Sequence, residues 1–323
     1  MGDLSAAISQ MGVLFLIVVL GFVLTKIGYL DRSLSSRFTT LLVNVTLPCM
    51  IISSVTEMDF ASAQSQIPLT FIVAIILLVV MSLIGLLIGV IVRSKHSEKA
   101  VYMVMSLCTN LGFMGIPVVS SILGEHSVIL SSLYVMLQGV LLYSVGFMAL
   151  SATGSNTSDE GDAGAQKHKL KIPWRSMFNP AMFASLLALV LFFAQIHLPY
   201  VLNEAMSMVG GITAPIAMMV VGILLTTVKF CEIFSDWRIY VFIVIRQLIG
   251  SIVVFFAVSF FISDPLVVSV AVLMFAMPVG TMVPLFCAQF GHDAVLPTKG
   301  LILSTIASFV IIPILLTLMS FCS

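Results

Sequence analysis

The stretch Asn110-Leu111-Gly112-Phe113-Met114-Gly115-Ile116-Pro117 sits in the middle of a long apolar run, and a stretch of the same kind, Ala276-Met277-Pro278-Val279-Gly280-Thr281-Met282-Val283-Pro284, recurs in the other half of the chain. Proline lacks a backbone N–H and clashes with the turn before it. Glycine loosens what remains. Two such residues within one or two turns predict an interrupted helix. In lipid, the freed N–H and C=O groups are costly unless they meet protein or line a wet cavity. Interruptions in corresponding spans of two halves therefore point to a binding site near the bilayer midplane. A blander reading stands beside this one. Proline and glycine are common in membrane helices and kink them without any ligand.

The lipid setting follows from composition. Of 323 residues, 60% are hydrophobic and 9% charged, and mean hydropathy is +1.20. A soluble domain carries about 25% charged residues. Acidic and basic residues both number 14, so net charge selects no partner and no nucleic acid is expected. The five cysteines lie in or beside apolar stretches without a CxxC pair, which reads as inert buried thiols.

Roughly 20 apolar residues cross a bilayer. Such spans read at 8–28, 38–55, 68–92, 100–123, 128–150, 178–196, 201–228, 239–262, 266–290 and 297–321. The basic residues test this register. With the N-terminus outside, all but one of the 14 fall in the five inner loops, and the exception, Arg246, lies within span eight. So one-sided a distribution predicts a multi-pass protein of the plasma membrane with both termini outside. The start Met1-Gly2-Asp3-Leu4 has no basic residue before the first apolar run, which reads as a retained span. Residues 151–175, rich in Gly, Ser and charge, read as a flexible cytoplasmic linker. The sequon Asn156-Thr157-Ser158 would stay unmodified there. The linker separates a first five-span unit, 1–150, from a second, 176–323. Pro48 and Pro117 lie 167 residues before Pro215 and Pro284, and Gly124 the same distance before Gly291. An odd number of spans per unit inverts the second relative to the first, a recurring device of secondary transporters. The fold class expected is therefore an all-α polytopic membrane protein of about ten helices, built as two inverted five-helix repeats with spans four and nine broken.

Candidate substrate contacts are the break residues Asn110, Gly112, Gly115, Pro117, Pro278, Gly280, Thr281 and Pro284. A half-helix N-terminus offers free N–H groups and partial positive charge, and Asn110 adds an amide that donates and accepts. Asn44, Gln138 and Arg246 are further polar residues within spans. Each has two readings: Asn44 and Gln138 as glue between helices or as ligands, Arg246 as a structural group or as countercharge to an anion. Ser304 and Ser308 share a face of span ten, where packing is the default. Absences also count. The chain has no GxxxxGK[ST] phosphate loop, no metal-ligand cluster and no carboxylate deep in a span. No cofactor, no metal and no enzymatic activity are expected.

Taken together, Leu47-Pro48, Asn110 through Pro117, Pro215 with Gly222, and Pro278-Val279-Gly280 through Gly291-His292-Asp293 resemble the auxin efflux carrier family, including its bacterial malate and malonate permease-like members. The resemblance covers nearly the whole chain. It implies spans four and nine crossing beside the substrate, and a scaffold of spans one, two, six and seven. It also implies a moving unit of the other spans and a homodimer. Asn110 and the segment from Pro278 to Pro284 match family positions near the substrate. Arg246 has a basic counterpart in many relatives, but the proline that often follows it is replaced here by Gly250-Ser251. The function expected is a carrier of small organic anions in the lipid bilayer. A channel, or a membrane sensor that transports nothing, is the alternative.

Overall fold

The structure, a computed structural model, describes residues 4–31, 33–54, 60–153, 180–196, 198–226 and 236–322. The linker lies outside the described residues beyond 151–153, as does its sequon. Span one is Leu4–Lys26. Span two runs through Leu34–Leu41, a π-helical turn at Leu42–Thr46, and Leu47–Ser53. Span three is Phe60–Ile91, and span four is split into His96–Leu107 and Leu111–Leu123. Span five is Ser127–Thr153 and span six Pro180–Phe193. Span seven is split into Tyr200–Gly211 and Thr213–Leu225. Span eight is Trp237–Phe261, span nine is split into Pro265–Ala276 and Val283–Gln289, and span ten is Val295–Cys322. Among the described residues, five stretches are long and apolar enough to cross a bilayer, the two pieces of span seven counting as one, and five more are shorter apolar helices. Helices prevail because lipid offers the backbone no other partner.

Two spans differ from their sequence reading. Span three begins at Phe60 rather than at Pro68, and its 32 residues reach about 48 Å at 1.5 Å each. Pro68 removes one donor only, and the turn before it is held from outside: Gln66 Nε2 donates to Asp264 Oδ2 at 2.8 Å. Span seven, read as continuous, breaks at Ile212. Gly210-Gly211 ahead of Pro215 is the local cause, and Gly210 also lets the chain pass Met50, whose Cα would lie 2.7 Å from an added Cβ.

The contacts trade partners between halves. Span one packs on span seven, and span six on span two. Span one meets span ten, and span six meets span five. Span three packs on the first half of span four, and span eight on the first half of span nine. Such matched exchange is what two similar halves related by a two-fold axis produce. The helix ends follow the same rule. Asp264 caps span nine through the N–H groups of Leu266 (2.9 Å) and Val267 (3.2 Å) while holding Gln66 of span three. At the opposite end of the bundle, Arg238 of span eight donates to Glu98 in the first turn of span four at 3.1 Å and to Asp236 at 2.9 Å.

The Arg238 guanidinium, hydrogen-bonded to Asp236, holds that carboxyl below its usual range. A depressed folded-state value means the contribution is complete above the ordinary carboxylate range and disappears as pH falls through the depressed value. The tie is therefore intact from pH 5 to 8. Asp236→Asn should lower the melting temperature by only a few degrees at pH 7, since half-exposed pairs contribute about 1 kcal/mol or less. The gap from wild type should close below about pH 4. Thermal unfolding of both proteins across pH checks this, and a gap that widens on acidification contradicts it.

Candidate functional site

Span four stops being helical at Cys108 (φ −84°, ψ 77°) and resumes after Asn110 (φ −78°, ψ 53°). The backbone groups of Cys108 and Asn110 bond across to span nine in place of continuing the helix. Span nine stops at Met277, which is extended (ψ 144°) because the following Pro278 disfavours the helical region. The two gaps cross as a single antiparallel bridge between Thr109 and Val279. The Asn110 N–H donates to the Pro278 carbonyl at 2.8 Å, and the Gly280 N–H to the Cys108 carbonyl at 2.8 Å. Glycine is required at the contact, since a Cβ on Gly280 would lie 2.8 Å from the Cys108 oxygen.

Other spans satisfy the ends that the breaks release. Gln138 of span five donates through Nε2 to the carbonyls of Leu107 (2.8 Å) and Thr109 (3.1 Å) and to Thr109 Oγ1 (3.1 Å). Gln247 of span eight donates to the Ala276 carbonyl (3.0 Å), and Arg246 Nη1 to the Met277 carbonyl. Ser304 Oγ accepts the Val279 N–H at 3.0 Å. Each half-helix that ends at the crossing thus has its C-terminal carbonyls held by side chains, as a dry interior demands.

The repeat is not regular across the break. Pro117 and Pro284 both stand second in their helices, Ile116–Leu123 and Val283–Gln289, and keep the 167-residue spacing. The crossing instead pairs Thr109 with Val279, three residues out of that spacing. The difference is the π-helical segment Leu111–Gly115, where the Met114 and Gly115 N–H groups share the Asn110 carbonyl at 3.1 and 2.9 Å.

Beside this segment lies a cavity of about 340 Å³. Span four contributes Cys108, Thr109, Asn110, Gly112 and Phe113, and span nine contributes Gly280, Thr281, Met282 and Phe286. Gln138 and Tyr143 of span five and Leu47 of span two complete much of the wall. At about 30 Å³ per water, the volume suits a small organic molecule. Its lining includes no Lys, Arg, Asp or Glu among the described residues. The polar side chains on its wall, Thr109, Asn110, Gln138, Tyr143 and Thr281, each carry both a donor and an acceptor. Asn110 is 4% exposed, and its Nδ2 has no partner. The N–H groups of Gly112 and Phe113, first in the half-helix Leu111–Leu123, make no backbone hydrogen bond among the described residues. Beside the cavity, Tyr143 and Phe147 stack edge-on with Phe286 at 6.0 and 5.0 Å, joining span five to span nine.

Of the sequence candidates, Asn110, Gly112, Gln138, Gly280 and Thr281 come together on this wall. The others do not line it. Gly115 packs toward Met274, whose sulfur would be 3.0 Å from an added Cβ. Pro117 and Pro284 start helices, and Pro278 serves the crossing through its carbonyl. Asn44, in the π-helical turn of span two, is exposed on the outside of the chain. Arg246 is buried behind span nine. The reading missed Thr109, Tyr143, Phe286 and Gln247. Gln247 had a signal, a second polar residue beside Arg246 in mid-span. The aromatic residues had none, because an apolar wall and an apolar lipid face look alike in sequence.

Comparison with known proteins agrees with this architecture. A protein of Methanothermobacter thermautotrophicus described as an uncharacterized transporter is 21% identical over 308 residues, covering 92% of this chain and 93% of its own. The family model described as membrane transport protein matches residues 6–316. The chain therefore belongs to the membrane transport protein family, that of the auxin efflux carriers its broken spans resemble.

Proposed function

We propose that this membrane transport protein is a carrier of small organic anions, such as malate, malonate or other carboxylates. The observation that carries the reading is a cavity at the crossing lined by Asn110, Gly112 and Phe113, at the start of a half-helix where the Gly112 and Phe113 N–H groups make no backbone hydrogen bond among the described residues. Backbone N–H groups left open at the start of the half-helix suit an anion's oxygens: a carboxylate accepts at about four lone-pair sites. The N-terminal end of the half-helix Leu111–Leu123 adds partial positive charge. A cation would meet the wrong end of that dipole.

In this reading the substrate passes by alternating access. Spans one, two, six and seven form the scaffold, and spans three to five and eight to ten move as a unit. The mirrored ties of Gln66 to Asp264 and Arg238 to Glu98 lie within that moving unit and support its rigidity. The carrier works as a homodimer in the plasma membrane with both termini outside, the orientation that the basic residues favour. Efflux needs no further coupling, since a monoanion leaving a cell at 100 mV, negative inside, gains about 2.3 kcal/mol.

Counterflow of labelled malonate and malate in proteoliposomes tests the proposal. Saturable counterflow is expected. Current rising linearly with concentration would favour a channel, and folded protein that moves none of a panel of organic acids would overturn the assignment.

A further inference from the structure

Arg246 is 1% exposed at mid-span, yet among the described residues it has no carboxylate partner. Its Nη1 donates to the Met277 carbonyl, its Nη2 reaches only the Met81 sulfur at 3.8 Å, and its Nε has no partner. Its face lies over the Phe275 ring at 5.3 Å. The carboxylates of the neighbouring spans are already engaged: Glu98 with Arg238, Asp264 with Gln66. Span three and the described parts of span nine carry no charge, and span ten carries only Lys299.

A guanidinium is a permanent charge, and burying one alone is expensive. The negative end of the half-helix Pro265–Ala276 offsets part of that cost. The remainder lacks a partner in the protein. Three residues beyond Met277 stands Gly280, on the cavity wall. At about 3.3 Å per extended residue, the Met277 carbonyl that Arg246 holds stands within about 10 Å of the cavity wall.

We propose that Arg246 is the specificity-determining charge of this site: it acts from behind span nine, holding the Met277 carbonyl and giving the cavity a positive potential that favours an anion over a neutral molecule of the same shape. The proposal rests on the anion-carrier reading above. Arg246 is then a positioning residue rather than a ligand, since span nine separates it from the substrate. One unit charge at that distance and an intermediate effective dielectric shifts anion affinity about tenfold.

The test compares stabilisation of the purified full-length chain by malonate and by its neutral analogue malonamide. Arg246→Gln should lower the malonate-to-malonamide affinity ratio about tenfold per negative charge, hence about a hundredfold for the malonate dianion, and Arg246→Lys should keep it. Met81→Glu, which leaves the guanidinium in place but cancels its charge, should repeat the loss and decides the matter if Arg246→Gln does not fold. Gln247→Ala loosens the same half-helix end without changing charge, so it should lower stability and leave the ratio unmoved. A wild-type ratio in folded Arg246→Gln or Met81→Glu overturns the proposal while the carrier reading survives. Wild-type protein that neither malonate nor any other carboxylate stabilises overturns both.

Discussion

Asn110→Ala is expected to lower carboxylate counterflow about 10- to 100-fold while leaving the protein as stable as wild type or slightly more so. The two effects have one cause. The Asn110 side-chain nitrogen is buried and bonded to nothing in the protein, so its removal breaks no internal contact and takes away an unsatisfied donor that costs about 1–3 kcal/mol. The crossing stays intact, because it uses the Asn110 backbone N–H and carbonyl. A substrate carboxylate loses one charge-assisted hydrogen bond, about 1.5–3 kcal/mol. Loss of function with a gain in stability marks a residue kept for its ligand. Asn110→Asp should be worse than alanine, since it sets a negative charge against an anion. Initial rates in proteoliposomes and melting curves in detergent supply both readouts. Normal counterflow in Asn110→Ala would remove the cavity from the transport path.

Gly222→Val is expected to yield no monodisperse folded protein. A Cβ at Gly222 would lie 2.2 Å from the Val18 carbonyl oxygen and 2.7 Å from the Phe22 nitrogen, and one at Gly21 would lie 2.6 Å from the Met219 oxygen. The two glycines thus bring the backbones of spans one and seven into direct contact, the small-residue device by which membrane helices approach closely. The obstacles are backbone atoms, which no rotamer change can move. Overpacking against adaptable side chains costs about 1–3 kcal/mol; here two whole spans must separate. Gly222→Ala should be folded but strongly destabilised. Gly12→Ala, in the same span one but with open space around it, should be neutral, since alanine suits a helix better than glycine. Yield and size-exclusion profile after purification distinguish these outcomes. A monodisperse Gly222→Val with a wild-type melting temperature would show that spans one and seven are not so close.

How much of this was legible beforehand depended on the kind of signal. Broken spans are local: proline and glycine act on their own turn, so the interruption at Pro278 could be seen without any partner. The break in span seven had a local sign too, Gly210-Gly211 before Pro215, but a glycine pair also serves close packing, and here Gly210 does both. Asn44 shows the other side of this: a polar residue in mid-span suggests a site, but it is exposed and does not line this cavity, while Leu47, one turn on, does.

Composition, span count and the likeness of the halves were written in the residues themselves, because lipid admits few backbone solutions and proline and glycine interrupt a helix wherever they stand. Which residues meet was decided only in three dimensions. The crossing joins Thr109 to Val279, out of step with the proline repeat by three residues, because a π-helical segment absorbs them on one side alone. The cavity lies beside that crossing, with Gln138 on its wall, while the buried Arg246 does not line it. In spans apolar on every face, periodicity does not mark which side meets lipid, a neighbour or a substrate; only the packing of ten helices assigns those roles.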